Sequence, residues 1–231
     1  MEVFIITPFP ETINVLIENN IANQGKKKNL INIEVVNLRD FSNNKHKKID
    51  DEPYGGGSGM VMMCQPLFDA IDYCSVKSKK KSKVIYPSPK GKVLNHKMCS
   101  DLSKENSLIF ICGHYKGIDE RVIKKYVDLE VSIGDFIISN GELSTMIIFD
   151  SIARLVPGVL NDLNSAMTDS FVDGLLDAPY FTRPDEIDGL KVPEVLLSGD
   201  HKAIEKWRSD KKFELTKDRR PDLLNEKESY D

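Results

Sequence analysis

The stretch SIGDFIISNGE, from Ser132 to Glu142, lies between a short β-branched run and a strongly apolar helical pattern. Its apolar centre is Phe136 to Ile138, with Gly134 before it and Asn140 and Gly141 after it. Glycine within a strand usually marks a bulge or a close approach of another backbone or a ligand. Packing alone does not call for these residues, so the stretch indicates a functional element.

The composition describes a globular chain without targeting or metal motifs. Of its 231 residues, 40% are hydrophobic and 29% are charged, which suits one large domain or one ordinary domain with a small one. No apolar run approaches the length of a membrane span, and the start, MEVFIITPFP, lacks the features of a signal peptide. The four cysteines and four histidines show no metal-ligand spacing, so we expect a cytoplasmic protein without a structural metal.

The order of apolar patterns predicts an α/β fold. The runs EVFIIT, NIEVVNL, KVIYPS, SLIFICG and VSIGDFIIS are typical of strands. Helical patterns, among them ETINVLIENNIA, QPLFDAIDYCS and KVLNHKMCSDLSKEN, fall between several of them. This alternation predicts a mostly parallel sheet with helices on both faces.

The second half of the chain has a different character. Residues 161–177 are rich in Asn, Asp, Ser and Gly with little periodicity, which predicts a flexible linker between a domain at 1–160 and a domain at 178–231. The later domain is expected to be small and mainly helical. Its clearest helix is predicted to start near Ser198 or Asp200 and to bury Ile204 and Trp207.

The stretch DDEPYGGGSGMVM places four glycines within five residues, at positions 55, 56, 57 and 59. It matches neither a P-loop nor the dinucleotide fingerprint. Two interpretations stay open: a flexible hairpin tip, or a bare backbone that approaches a ligand or presents N–H groups to an anion. The acidic residues at 50–52 would repel a phosphate unless nearby lysines lie closer.

Three predicted strands end in small or turn-forming residues, namely Tyr86 to Pro89, Gly113 to Tyr115, and Asn140 with Gly141. Ligands of open α/β sheets bind outside the carboxyl ends of the strands. These three turns therefore predict one small-molecule site with apolar walls and free backbone amides.

Positive charge is clustered although the net charge is −4. Basic islands occur at Lys26–Lys28, Lys45–Lys48, Lys77–Lys83 and Lys206–Pro221. Any single island is typical of a solvated surface, but the four together favour a nucleic-acid partner.

Six blocks in this order closely resemble the bacterial TrmD family of tRNA (guanine-N1)-methyltransferases: DDEPYGGGSGMVM, CGHYKGIDERV, SIGDFIISNGELS, DSIARLVPGVL, TDSFVDGLLDAPYFTRP and VPEVLLSGDHKAIEKWR. The resemblance covers nearly the whole chain. It implies the SPOUT fold, an α/β domain whose C-terminal part forms a trefoil knot, in a homodimer with a helical tRNA-binding domain. It also implies methylation of guanine N1 at tRNA position 37 from S-adenosylmethionine, in a reaction that depends on Mg²⁺.

The resemblance assigns roles to individual residues. SIGDFIISNGE becomes the knot loop around the cofactor, and Gly141 allows close passage of the chain. The cofactor-binding residues it implies are Tyr86, Ser88, Pro89, Gly113, Tyr115, Ser132, Ile133, Gly134, Phe136, Ile138 and Gly141. The substrate-binding residues it implies are Gly55, Gly57, Gly59, Ser170 and Asp177.

For catalysis, the resemblance implies Asp169 as the general base that removes the N1 proton and Arg154 as the cation that stabilises charge on O6. It further implies that Asp169 acts at the pocket of the partner subunit. Taken without the resemblance, Asp169 suits a helix cap and Arg154 a helix C-terminal charge. Two other functions stay open: a methyltransferase for another RNA base, and a non-catalytic RNA-binding module.

The chain departs from the family pattern near the cofactor. Where the family has Cys-Gly-Arg-Tyr-Glu-Gly, this chain has His114 and Lys116 in place of the arginine and the glutamate. Asn140 and Ser144 replace a more usual glycine and proline. The change at Lys116 reverses a charge beside the methyl donor, so we expect an effect on cofactor affinity unless Asp135 or Glu142 compensates.

Overall fold

The computed structural model describes residues 1–18, 20–161 and 168–224. Within these residues, the β-branched runs and two short hairpins form nine strands. The strands are β1 Glu2–Thr7, β2 Asn32–Asn37, β3 Asp50–Asp51, β4 Val61–Met62, β5 Lys83–Val93, β6 Ser107–Ile111, β7 Leu129–Ser132, β8 Glu186–Ile187 and β9 Leu190–Lys191. The helices are α1 Pro10–Glu18, α2 Ile21–Lys27, α3 Cys64–Ser78, α4 His96–Leu102, α5 Glu120–Tyr126, α6 Gly141–Ala153, α7 Glu194–Leu197 and α8 His201–Arg219.

Five strands form a parallel sheet in the order β2-β1-β6-β5-β7. This confirms the predicted α/β class and the parallel sheet. The chain divides into two compact units, residues 1–161 and 162–231, and the sheet belongs to the first. No helix in the described part of the chain has the length and apolar character needed to cross a bilayer.

Alternate residues of each central strand point to opposite faces of the sheet, and both faces are covered. Ile5 and Phe110 pack in one buried cluster with residues of α1, α2 and α6. Phe4, Ile6 and Ile109 pack in a second cluster with residues of α3 and α5. Because parallel sheets are stable when both faces are buried, continuous apolar strands such as SLIFI fit this layered arrangement.

Asparagine and aspartate side chains set several helix starts. Asn20 caps α2 by accepting a hydrogen bond from the N–H of Ala22 at 2.8 Å. The single helix predicted for ETINVLIENNIA is therefore wrong: the segment forms α1 and α2, because Asn20 leaves the helical conformation to act as a cap. Asp200 caps α8, which confirms the predicted start.

The strand predicted for VSIGDFIIS is shorter than the apolar pattern suggests. β7 ends at Ser132, and residues 133–140 form an irregular loop before α6. Gly134 has φ 135°, a conformation outside the strand region that glycine adopts without strain. Ile137 is 81% exposed, so the second half of the apolar run is not part of the core.

The four-glycine stretch forms the tip of a short hairpin between β3 and β4, which pair antiparallel. Gly55, Gly56, Gly57 and Gly59 all have positive φ. The hairpin interpretation of this stretch is therefore confirmed, and its possible role towards a ligand depends on what lies beside it.

The second unit contains the β8–β9 hairpin, α7 and α8 among its described residues. Residues 168–177 pack against α8 through a hydrogen bond from the N–H of Leu176 to the Thr216 hydroxyl at 2.9 Å and an ion pair between Asp173 and Lys212 at 2.7 Å. Residues 162–167 of the predicted linker lie outside the described residues. The prediction that Ile204 and Trp207 are buried is wrong, because both are only half-buried on a helix whose one fully buried residue is Thr216.

A close contact between β5 and β7 gives a stability prediction. Residues 88–91 loop out between two pairings with Val131, and a Cβ at Gly91 would lie 2.3 Å from the carbonyl carbon of Glu130. Gly91→Ala should therefore lower the free energy of unfolding by about 3 kcal/mol, since the backbone itself must move. Urea denaturation measures this.

Gly56→Ala is the matched control, because a Cβ at Gly56 meets nothing within 4 Å. The only cost of this substitution comes from the backbone conformation, with φ at 77°. It should cost about 1 kcal/mol. Equal stability of the two variants would show that β5 and β7 do not approach this closely.

Candidate functional site

A cavity of about 420 Å³ lies at the carboxyl ends of β5, β6 and β7. Its lining residues are Tyr86, Pro87, Ser88, Pro89, Gly113, His114, Tyr115, Lys116, Gly117, Val131, Ser132, Ile133, Gly134, Phe136, Ile137, Ile138, Ser139, Asn140, Gly141 and Ser144. The three turns that the sequence places at strand ends thus meet around one cavity. Every residue to which the resemblance gives a cofactor-binding role is among them.

One wall of the cavity is the loop between β7 and α6. The Ser132 hydroxyl and the main chain of Gly134 exchange hydrogen bonds of 3.2 Å, which tightens the turn after the strand. A Cβ at Gly134 would lie 2.7 Å from the Phe136 ring, so the ring folds back over this glycine. The loop therefore presents main chain and apolar side chains to the cavity.

The floor of the cavity is a direct contact between two backbones. The N–H of Gly141 donates to the carbonyl oxygen of Gly113 at 2.9 Å. A Cβ at Gly141 would lie 2.4 Å from the Gly113 nitrogen, closer than two such atoms can approach. Position 141 therefore accepts only glycine if this contact is to form.

The Tyr86 ring packs against the turn after β6, at Gly113 and Gly117. A Cβ at Gly113 would lie 2.8 Å from the Tyr86 ring, and one at Gly117 would lie 3.2 Å from its hydroxyl. Burial raises the pKa of Tyr86 above its ordinary value, so the phenol stays protonated near neutral pH. The ring and its hydroxyl form a rigid neutral surface beneath the turn after β6.

A buried carboxylate stands next to the cavity at the first turn of α6. Glu142 is 1% exposed. The Thr7 hydroxyl donates to it at 2.5 Å, and His114 Nε2 lies 2.7 and 2.9 Å from its two oxygens. Burial opposes its ionisation, but the hydrogen bonds from His114 and Thr7 outweigh burial and hold the Glu142 pKa below its usual value.

The hydrogen bond to Glu142 fixes which ring nitrogen of His114 carries a hydrogen atom. An ionised carboxylate only accepts hydrogen bonds, so His114 Nε2 carries a hydrogen atom and donates a hydrogen bond to Glu142. The imidazole also packs against the ring of Phe9, with 5.0 Å between ring centroids. His114 thus takes part in a buried ion-dipole or ion-pair network at the edge of the cavity.

Lys116 connects the cavity to the glycine tip of the β3–β4 hairpin. Its N–H donates to the Met60 carbonyl oxygen at 3.0 Å. A Cβ at Gly59 would lie 3.1 Å from both Cγ and Cε of Lys116, so the lysine side chain runs across this glycine. Of the glycines that the resemblance assigns to substrate binding, Gly59 lies against the Lys116 side chain, and Gly55 and Gly57 are exposed on the tip.

Arg154 follows α6 directly and belongs to the first unit, and its N–H donates to the Asp150 carbonyl oxygen at 3.2 Å. Burial raises the pKa of the Asp150 carboxyl, and the Arg154 cation partly opposes this. The helix C-terminal position expected for Arg154 from the residues alone is therefore observed.

The other predicted catalytic and substrate residues lie in the second unit. Asp169 begins a turn in which its carbonyl oxygen accepts from the N–H of Val172 at 3.4 Å. The Ser170 hydroxyl accepts from the N–H of Asp177 at 2.9 Å, and the Asp177 carboxylate accepts from the Tyr180 hydroxyl. Ser170 and Asp177 thus form one local cluster next to Asp169 in the chain.

Sequence reasoning missed Thr7 and did not pair His114 with Glu142. Thr7 ends β1 at the same edge of the sheet as the other turns, and a polar residue after four apolar ones is the signal that marked it. Its partner Glu142 lies 135 residues away in the chain, so the contact itself had no local pattern.

The chemistry of the cavity suits binding more than proton transfer. Of the described residues that line it, none carries a carboxylate. Among the described residues, no group of three or more His, Cys, Asp or Glu side chains is placed to hold a metal ion. The imidazole of the lining, His114, is hydrogen-bonded to Glu142 through Nε2, so a carboxylate that accepts a proton in this cavity has to come from outside the lining.

Comparisons with known proteins agree along the whole chain. The family model described as tRNA (Guanine-1)-methyltransferase TrmD matches residues 1–226. A tRNA (guanine-N(1)-)-methyltransferase of Ruminiclostridium cellulolyticum is 49% identical over 97% of this chain and 97% of its own length. Proteins of the same description from Clostridium perfringens and Clostridioides difficile are 50% and 48% identical, over 97% and 96% of this chain and 93% and 97% of their own lengths.

The buried network at Glu142 gives a second stability prediction. Glu142→Gln should lower the free energy of unfolding at pH 7 by about 2 kcal/mol, because charge-assisted hydrogen bonds to a buried group are lost. Thr7→Val, which removes one neutral donor, should cost about 1 kcal/mol. Denaturant titrations of both variants and the wild type measure these values.

The pH dependence follows from the lowered pKa. The stabilisation by ionised Glu142 is complete above the ordinary carboxyl value of 4.5 and is lost as the pH falls through the lower pKa of the folded state. The difference between wild type and Glu142→Gln should therefore shrink as the pH falls below 4.5. A difference that grows as the pH falls below 4.5 would contradict a depressed pKa.

Proposed function

The chain belongs to the tRNA (Guanine-1)-methyltransferase TrmD family, and we propose that it methylates N1 of the guanine at tRNA position 37 with S-adenosylmethionine bound in the cavity at the ends of β5, β6 and β7. A methyltransferase of this family uses S-adenosylmethionine and acts on tRNA. The observation that carries the proposal is the convergence of all the predicted cofactor residues on that one cavity.

The cavity fits this cofactor in size and chemistry. Its volume of about 420 Å³ lies in the range of small-molecule sites, and its walls combine apolar side chains with main chain. The turn after β6 and the loop before α6 approach as bare backbone at Gly113 and Gly141, so no side chain at these two positions fills the space that an adenosyl group would take. The aromatic ring of Phe136, which is 55% exposed, offers a surface for a purine.

S-adenosylmethionine, when bound, supplies an electrophilic methyl group on a sulfonium. The residues of the chain have to remove the guanine N1 proton and to stabilise the charge that develops on O6. We assign the first task to Asp169 and the second to Arg154. Because the described lining of the cavity has no carboxylate, a base from elsewhere fits the geometry.

A homodimer would bring that base to the cavity. The outer face of α1, α6 and the loop between β7 and α6 exposes Val15, Phe136, Leu143 and Ile147 around a shallow apolar groove. Exposed apolar patches of this kind typically mark protein contacts. We propose that a second copy of the chain covers this face and places its own Asp169 at the cavity.

We also propose the trefoil knot that the resemblance implies. Two tight passages support it: residues 88–91 loop out beside Val131, and Gly141 passes against Gly113. Since knots are rare in proteins, the proposal depends on the family and not on general packing rules.

Basic residues of α8 and the residue that follows it are proposed to contact tRNA phosphates: Lys211, Lys212, Arg219 and Arg220. Lys211, Lys212 and Arg220 already form ion pairs with Glu214, Asp173 and Asp222 within the second unit. Phosphate contacts by these residues would therefore have to compete with existing pairs, which lowers their expected share of the affinity.

The dependence of the reaction on Mg²⁺, which the resemblance implies, stays a prediction. The described residues do not provide a ligand set, so no step is assigned to the ion. Action in the cytoplasm likewise remains a prediction.

The direct test of the proposed function incubates the protein with S-adenosylmethionine and an unmodified tRNA transcript, followed by nucleoside mass spectrometry. N1-methylguanosine should form on the wild-type transcript and be absent when guanine 37 is replaced by adenine. Methylation of another base would identify a different RNA methyltransferase. Cofactor binding without any methylated nucleoside, or no binding, would leave an RNA-binding module.

Asp169→Asn should abolish methyl transfer while S-adenosylmethionine binding measured by calorimetry stays within about two-fold of wild type, because the base acts only as the proton leaves. Arg154→Ala should reduce turnover on the order of 100-fold. Asp210→Asn is the matched control, since it removes an exposed carboxylate of α8 in the same unit and leaves the Asp173–Lys212 ion pair intact. If Asp169→Asn retained the turnover of this control, Asp169 would not be the base.

Subunit exchange tests whether two copies share each site. Asp169→Asn is mixed with Ser139→Trp, a variant that fills the cavity from an exposed loop position and leaves the Gly141 contact intact. If sites are shared, half of the randomly mixed dimers contain one intact site, so about a quarter of wild-type activity should return. If each site is built within one chain, the mixture stays inactive.

A further inference from the structure

Lys116 is the cation that stands between the cofactor cavity and the glycine tip. It lines the cavity, and its side chain crosses Gly59 at 3.1 Å from the place of a Cβ. The backbone contact from Lys116 to Met60 holds the turn after β6 against the hairpin. The position of the lysine is therefore set by the turn after β6, which lines the cavity, and by the hairpin beside it.

The charge of Lys116 is available to a ligand. Arg121 is paired with Asp119 at 2.7 Å, and Lys48 is paired with Asp51 at 2.9 Å. Lys116 forms no ion pair with any residue of the described ranges, and its side chain is exposed. An exposed ammonium that neighbouring carboxylates do not neutralise attracts an anion.

The glycine tip beside it is open to a ligand backbone. A Cβ at Gly55, Gly56 or Gly57 would meet nothing within 4 Å, and all three residues have positive φ. Within the described part of the chain, the N–H groups of Gly57 and Gly59 donate no hydrogen bond. Backbone amides that are free of internal acceptors can donate hydrogen bonds to an anion.

Aromatic rings border the same surface. Tyr54, which directly precedes the glycines, is 100% exposed. Tyr115, which directly precedes Lys116, is 54% exposed and has φ 61°, a left-handed conformation that a tyrosine seldom adopts. Exposed aromatic faces next to a cation are the usual means of holding single-stranded nucleic acid.

We propose that Lys116 binds the phosphate of a nucleotide that flanks the target guanine, with the free amides of the glycine tip around that phosphate and Tyr54 stacked on the neighbouring base. The inference rests on the proposed function, since it requires that RNA enters the cavity. A role towards S-adenosylmethionine fits less well, because its sulfonium and ammonium groups repel an ammonium of the protein. Only the carboxylate of that cofactor would attract it.

Binding of a tRNA transcript at increasing salt tests the assignment. Lys116→Gln should weaken tRNA binding roughly ten-fold at 50 mM salt and flatten the plot of log affinity against log salt by about 0.7 to 0.9, the value for one lost phosphate contact. Its affinity for S-adenosylmethionine, measured by calorimetry without RNA, should stay within about two-fold of wild type. Lys116→Glu should weaken tRNA binding further, because it adds repulsion.

Lys104→Gln is the charge-matched control. Lys104 precedes β6, at the edge of the sheet opposite the cavity, and is paired with Asp101. This variant changes the net charge by the same amount as Lys116→Gln and should leave the salt slope unchanged.

Tyr54 provides an independent readout of the same site. Tyr54→Ala should weaken tRNA binding about ten-fold without changing the salt slope, because stacking releases no counterions, and Tyr54→Phe should retain wild-type affinity.

Two results would overturn the proposal. An unchanged tRNA salt slope in Lys116→Gln with an altered affinity for S-adenosylmethionine would assign the lysine to the cofactor, and no change in either would leave it as solvated surface. Failure of the proposed function is seen separately, as a wild-type protein that forms no N1-methylguanosine.

Discussion

The contact between the backbones of Gly113 and Gly141 is the constraint on which the rest of the site depends. The Gly141 nitrogen lies 2.9 Å from the Gly113 carbonyl oxygen, so neither backbone segment can move away without opening the cavity floor. The same contact marks the start of α6, so it places Glu142 beside His114 and Thr7 one residue later. α6 runs from this contact to Ala153, and Arg154 is the residue that follows it.

Binding and chemistry are separated in this arrangement. The cavity offers main chain, aromatic rings and hydroxyls, and its described lining has no carboxylate. The nearby acid, Glu142, is committed to His114 and Thr7 and has a pKa held low by them. A carboxylate that already accepts several hydrogen bonds is a weak proton acceptor, so Glu142 is poorly suited to act as the base.

Local patterns predicted the sheet and its ligand-binding edge but not the contacts between distant residues. Strand periodicity identified the five strands of the parallel sheet, and the turns after them converge on one cavity as expected from the sheet geometry. Hydrophobicity alone misjudged the loop around Phe136 and Ile137, because an apolar residue that faces a cavity or a partner has the same pattern as a core residue. The Thr7–Glu142 contact spans 135 residues and had no local signature. The catalytic roles came from the family resemblance, since Asp169 and Arg154 occupy positions that ordinary turns and helix ends also explain.

Hydrogen–deuterium exchange with and without S-adenosylmethionine tests the central claim most directly, because the proposed site is built largely from main chain. The account predicts slower exchange in peptides that cover residues 86–91, 113–117 and 132–141, the three turns at the ends of β5, β6 and β7. Peptides that cover residues 103–106, which directly precede β6 at the opposite edge of the sheet, should show no change. Protection that avoids these three turns, or an unchanged exchange pattern at saturating cofactor, would contradict the account.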